Sequence, residues 1–305
     1  MMEPSRDEFS LADEIDREIV LNREAHFSGS FDAMLAYYTE GGRGVNPDLS
    51  LSRIKELKAL EKVEGKNLAA FYLDPEDIER IAAARALYKK LKALYNTSRS
   101  ASSVPHLIAD LILTENEDPK EEMAAITSKG SAITPALVDL LSSREFHDPL
   151  FPGYGQAPQL AAKCLGEIGD KRAIIGLFES IGNEDVLNEE ISLDALCTIG
   201  KPAIDFLLRV LQSKPLTFDN ERAAIALIHF PHTPEIAETF LKMLQEPSML
   251  QQVPFVAYLI LGCEGLTSAE DRHLFEELAK DPKTPSSLQK EMHSIMAIWR
   301  SLPKA

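Results

Sequence analysis

The chain has 305 residues, 45% of them apolar and 7% aromatic, with a formal charge of −16. That supplies a buried core, while a net acidic surface repels nucleic-acid backbones and anionic membranes. The longest apolar run, 253–263, falls short of the roughly 20 residues that cross a bilayer. The start, Met1-Met2-Glu3-Pro4-Ser5-Arg6-Asp7-Glu8-Phe9, lacks a signal-peptide core, so a cytoplasmic location is expected. Cys164, Cys197 and Cys263 are far apart and form no C-x-x-C, and they read as buried apolar side chains in a reducing compartment.

Aromatics are scarce and Leu, Ala and Ile abundant, which favours helix over strand. Leu11, Ile15 and Ile19 predict a helix over 11–25. A second, 31–38, stops at Gly41-Gly42, and a third covers 51–63. The fourth starts at Asp74-Pro75-Glu76-Asp77, where Asp caps, Pro suits the first turn and the acids face the positive end of the helix dipole. It runs to about Tyr95. Gly41-Gly42-Arg43-Gly44 has no preceding strand and no Gly-Lys-Ser/Thr, so it reads as a plain flexible turn, not a phosphate loop. Lys55, Lys58, Lys62 and Lys66 share one helical face, either a solvated stripe or a dock for acidic repeats. The small polar run 97–103 predicts a boundary between a helical N-terminal domain, 1–100, and a second domain, 104–305.

Beyond that boundary one pattern recurs. Ile133/Leu137/Leu140, Ile174/Phe178/Ile181, Ile204/Leu208/Leu211 and Ala237/Leu241/Leu244 are the same apolar ladder, offset by 41, 30 and 33 residues. Asp271/Phe275/Leu278 is a weaker fifth copy. Self-similarity at this period marks stacked helix pairs. First helices are expected near 119–129, 157–168, 187–199, 219–229 and 250–262, and second helices near 132–143, 171–181, 201–212, 234–245 and 268–280. A last helix, 286–301, holds Trp299. The first 100 residues carry −3 and the remainder −13.

The stretch from Leu160 to Leu177, with Leu165-Gly166-Glu167-Ile168-Gly169-Asp170 at the turn and Arg172-Ala173-Ile174 opening the second helix, resembles the bacterial HEAT repeat of the phycobilisome-lyase type. Leu193–Ile204 is a second match, and the copies at 119–143 and 219–245 are degenerate. The resemblance covers about 105–300 by extension and leaves the first 100 residues unassigned. It implies an all-α, right-handed α-solenoid of about five helix pairs, with second helices lining the concave side. Its usual role is to hold another protein.

Rotating the second helices away from the ladder places Val138, Glu179, Phe206, Arg209, Val210, Lys242 and Met243 on the expected lining, together with Asp139, Ser142, Gly176 and Thr239. Phe206, Val210 and Met243 are apolar where solvent is expected, which marks a partner site or packing against the next repeat. The insertion 144–158 explains the long first interval, and Phe146, Phe151 and Tyr154 are either binding anchors or a cover for a repeat edge.

No residue pattern implies catalysis, a cofactor or a metal. His229-Phe230-Pro231-His232 is the only close histidine pair, and the proline breaks any shared face. The expectation is a non-enzymatic interaction module whose partner is another protein, with nucleic acid and membrane disfavoured and the oligomeric state open. The alternatives are an enzyme or lyase built on the HEAT scaffold, or an active N-terminal domain with the repeats as targeting arm. No histidine precedes a glutamate, as the di-iron hydroxylases of this architecture require, and the acidic repeats lack the basic concavity of a helical-repeat DNA glycosylase.

Overall fold

The structure is a computed structural model, and it describes residues 11–96, 102–182, 186–231, 233–246, 249 and 253–301. Among these residues it is all-helical, with eighteen α-helices and no strand. The expected period-3.6 elements are present, most within two residues of their predicted ends. Three short or unassigned segments, Ala69–Tyr72, Val104–Leu113 and Arg144–His147, are additional helices. The polar run at 97–103 lies mostly outside the described residues, as does His232.

The chain divides into two compact units, 1–164 and 165–305, a different line from the expected one between 1–100 and 104–305. The physical reason is the 144–158 insertion, which packs onto the N-terminal helices and draws the intervening segments into their unit.

Unit 1 is organised around α1 (Leu11–Phe27), which packs on α2 (Phe31–Glu40), α3 (Leu51–Glu64), α4 (Ala69–Tyr72) and α5 (Pro75–Leu94). The Asp74 start signal is real: Asp74 and Asp77 form a reciprocal capping box and Pro75 occupies the first turn. One core cluster gathers Ile19, Val20, Phe31, Met34, Ile54 and Leu57. Around it, α1 is tied to distant elements by charge. Buried Asp16 receives two bonds of 2.7 Å from Arg53. Buried Asp77 receives Arg17 at 2.9 and 2.6 Å. Buried Arg23 donates to Glu61 at 2.8 Å, Glu24 at 2.6 Å and Asn67 at 2.8 Å, with its guanidinium 4.4 Å from the Phe31 ring centroid. The unit continues through α6 (Val104–Leu113), α7 (Lys120–Thr127), α8 (Thr134–Leu141) and α9 (Arg144–His147) into α10 (Ala157–Ile168), where the division falls.

Unit 2 contains the end of α10, then α11 (Ile174–Glu179), α12 (Val186–Ile199), α13 (Lys201–Leu211), α14 (Phe218–His229), α15 (Pro234–Leu244), α16 (Val253–Gly262), α17 (Ala269–Lys280) and α18 (Ser286–Ser301). Each helix packs on its neighbour in sequence or on the next but one. Thus α12 meets α14, α14 meets α16, α16 meets α18, and α15 meets α17. The ladder rungs of the first four copies are all buried. The turn signature has a local cause: Gly169 adopts φ +68°, Asp170 caps by accepting from Arg172 N at 2.9 Å, and its carboxylate holds the Arg172 guanidinium. Gly166 is required because a Cβ there would stand 2.9 Å from Ala195 Cα. Buried Asn220 joins consecutive helices, with Nδ2 2.9 Å from both the Val210 and Leu211 carbonyls and Oδ1 accepting from Thr217 N. None of the three cysteines is in a disulfide, and burial pushes the Cys197 thiol up to about 11 and Cys263 further. No described helix is long and apolar enough to cross a membrane.

Candidate functional site

On the second helices of unit 2, Glu179, Arg209 and Lys242 stand exposed, and Phe206 and Val210 are half-buried. Phe206 rests edge-on against Phe178, centroids 5.5 Å apart. Asp205, Leu208, Arg209, Gln212, Glu235 and Thr239 line a shallow groove between α13 and α15. Lys201 spans the same helices, bonding Glu235 at 2.5 Å and Asp205 at 2.9 Å. Met243 corrects its expected place in an exposed lining: it is 5% exposed. Ile236, Phe240 and Met243 form a second buried stripe beside the ladder, because α15 has packed neighbours on two sides. Gly176 is likewise buried. In unit 1, Val138 is half-buried on α8.

The 144–158 aromatics turn inward. Phe151 is buried with Leu21, Ala25, Ile81, Ala84 and Leu150, so it covers α1 and α5 and is not an exposed anchor. Tyr154 packs its ring on His26, centroids 4.9 Å apart, and donates to Glu115 at 2.9 Å. Phe146 remains half-buried on α9. Arg80 fastens the loop from α5 through Asp148 at 2.8 Å.

Gly41-Gly42-Arg43-Gly44 is more than a flexible turn. Gly44 is the seat of the Tyr154 ring, since a Cβ would fall 2.3 Å from Cε1, and Gly42 is that of Tyr37 at 2.5 Å. Arg43 is buried, bonding Gln156 at 3.0 Å and the Leu111 and Thr114 carbonyls at 3.4 and 3.3 Å. Glycine conformational freedom matters less here than the absent side chain. The signal was legible as three glycines around one arginine, but the aromatic rings that need Gly42 and Gly44 lie 5 and 110 positions away.

These contacts form the floor of an open cleft of about 760 Å³ within unit 1. His26, Phe27, Tyr37, Tyr88 and Tyr154 supply rings; Arg85, Lys89 and Lys92 supply cations from one face of α5; Glu115 closes the other side. The proton positions follow from the partners. His26 Nε2 donates to the Pro149 carbonyl at 3.0 Å, so Nδ1 accepts from the Tyr88 hydroxyl at 2.9 Å. Desolvation holds the imidazole neutral, lowering its pKa from 6.5 to about 4. Tyr37 donates to Glu115 at 2.5 Å and accepts from Gly44 N at 2.9 Å. Burial raises the pKa of Tyr37, Tyr88 and Tyr154, so all three remain phenols at neutral pH. The cleft thus presents neutral rings and a basic wall. His229 is accounted for by Asp194, 2.8 Å from its Nε2. Among the described residues no three His, Cys, Asp or Glu side chains converge as metal ligands.

No known protein family matches this chain, and no curated protein matches it.

Proposed function

We propose that the chain is a non-enzymatic interaction protein whose 165–301 region is a HEAT-like α-solenoid that docks a protein partner along its second helices. The supporting observation is the face of α11, α13 and α15. Glu179, Arg209 and Lys242 point to solvent around half-buried Phe206 and Val210, beside the α13–α15 groove. The sequential packing of α12 on α14, α14 on α16 and α16 on α18 supports a repeat array, and such arrays present extended surfaces. Mixed charge around a small apolar centre suits a protein surface of complementary pattern.

The test is affinity capture from native extract with the wild-type chain and an Arg209→Glu/Lys242→Glu variant. Both side chains are exposed, so the variant keeps its fold, checked by circular dichroism. A protein recovered by the wild type and lost by the folded variant supports the reading. Equal recovery by both baits removes this face from partner binding.

A further inference from the structure

We infer that the unit 1 cleft is a binding site for a small organic anion carrying a planar ring, of nucleoside-monophosphate or aryl-carboxylate size. The inference goes beyond the partner-docking role of unit 2 and uses none of its residues. Four observations lead to it.

The volume, about 760 Å³, lies in the range of small-molecule sites, roughly 300–1,000 Å³. The wall on α5 is cationic: Arg85, Lys89 and Lys92 follow i, i+4, i+7 spacing and so share one helical face. Arg85 is already engaged with Glu24, donating to its carbonyl at 2.8 Å and its carboxylate at 2.7 Å. Among the described residues neither Lys89 nor Lys92 is paired with a carboxylate. In a chain of charge −16, two unpaired lysines on a concave wall are a local reversal of sign, and a concave wall of one sign concentrates the opposite charge.

The floor supplies the ring contact. Lys92 Nζ lies 5.7 Å from the Tyr88 centroid, over the ring face, so a cation and an aromatic ring stand side by side in the lining. A planar ring laid on the tyrosines would put an attached phosphate or carboxylate toward Lys89 and Lys92. The floor is also preorganised. The Gly44 seat, the Tyr37–Glu115–Tyr154 bonds and the His26–Tyr88 bond hold the rings before any ligand arrives. Glu115 accepts two phenolic protons, which delocalises the one carboxylate on the lining without removing its charge. That places the anionic end of a ligand at the α5 side and its neutral end near Glu115.

The experiment is isothermal titration calorimetry of the full chain with adenosine monophosphate, 4-hydroxybenzoate and inorganic phosphate at low salt. Saturable binding of either ring-bearing anion, tighter than phosphate, is expected, and the one that binds distinguishes a nucleotide from an aryl acid. Lys89→Gln/Lys92→Gln should weaken it about tenfold, two partly screened ion pairs being lost, while Lys62→Gln leaves it unchanged. Both lysines are exposed, so the double variant folds. Absence of saturable heat with both ring anions overturns the inference. So does equal affinity for inorganic phosphate, or binding that survives the double substitution.

Discussion

The two units are held together by different physics. In unit 1 the ties are charged and long in sequence: Arg17 to Asp77, Arg53 to Asp16, Arg23 to Glu61 and Arg80 to Asp148, each with at least one member buried or half-buried. In unit 2 the pairs that link helices, such as Lys201–Glu235 and Lys214–Glu246, are exposed on both sides, the pairs with a buried or half-buried member, Arg172–Asp170 and Arg222–Asp219, lie within one turn, and the buried stripes do the packing. Exposed pairs contribute little, whereas removing one partner from a buried pair strands the other. On the proposed reading of unit 2 as a repeat array, one recurring apolar pattern suffices, because each repeat meets its neighbours in the same way. An irregular bundle has no such recurrence, and directional Arg–carboxylate forks specify which helix meets which.

The sharpest way to break that contrast is Arg23→Ala. It leaves Glu61, Glu24 and Asn67 without their shared donor, and denaturant melts should show a loss of about 3–5 kcal/mol. A loss within the range of an exposed pair would mean that the charged ties of unit 1 are no stronger than those of unit 2.

Acid should act on unit 1 through His26. The unfolded chain protonates this imidazole below its ordinary 6.5, while the folded one resists until about 4. Stability is therefore full above pH 6.5 and falls as pH drops through that window, by about 3 kcal/mol from this group. Comparing wild type with His26→Gln between pH 7 and pH 4 checks it: the variant should lose less stability over the same interval. Parallel curves would sink the assignment of a neutral, buried imidazole.

In unit 2, Met243→Ala should cost about 2 kcal/mol or more, the effect of emptying a buried methionine site. The thermal midpoint of the variant decides between core and surface, and an unchanged midpoint would return Met243 to the exposed lining. The smallest stability effect belongs to Arg209→Glu/Lys242→Glu, within about 0.5 kcal/mol as for exposed positions generally. Any change there should appear in partner recovery alone.

Legibility followed the same division. The ladder from Ile133 to Leu244 marked second helices whose rungs are all buried, because the 3.6-residue period is a local property and repetition multiplies the signal. The lining was readable at Glu179, Arg209 and Lys242, which stand exposed, whereas Met243, for which packing against the next repeat was the other reading, is buried with Ile236 and Phe240. The cleft was not legible as a site. His26, Tyr37, Gly44, Tyr88, Glu115 and Tyr154 are unremarkable singly, and no spacing rule connects them. Phe151 and Tyr154 stand out in the sequence as aromatic residues of the insertion, yet their direction, inward onto α1 and α5, depends on partners more than 60 residues away.

Composition, capping residues and apolar period by themselves determined the all-helical character of the described residues, most helix ends and the buried ladder of α8, α11, α13 and α15, since these rest on interactions within a few residues. Tertiary structure alone decided that the 144–158 insertion belongs with the N-terminal helices, that Gly42 and Gly44 seat tyrosines, and that α5 turns Lys89 and Lys92 toward a ring-lined cleft. Those outcomes depend on which distant surfaces meet, and a sequence without a repeating pattern carries no local record of that.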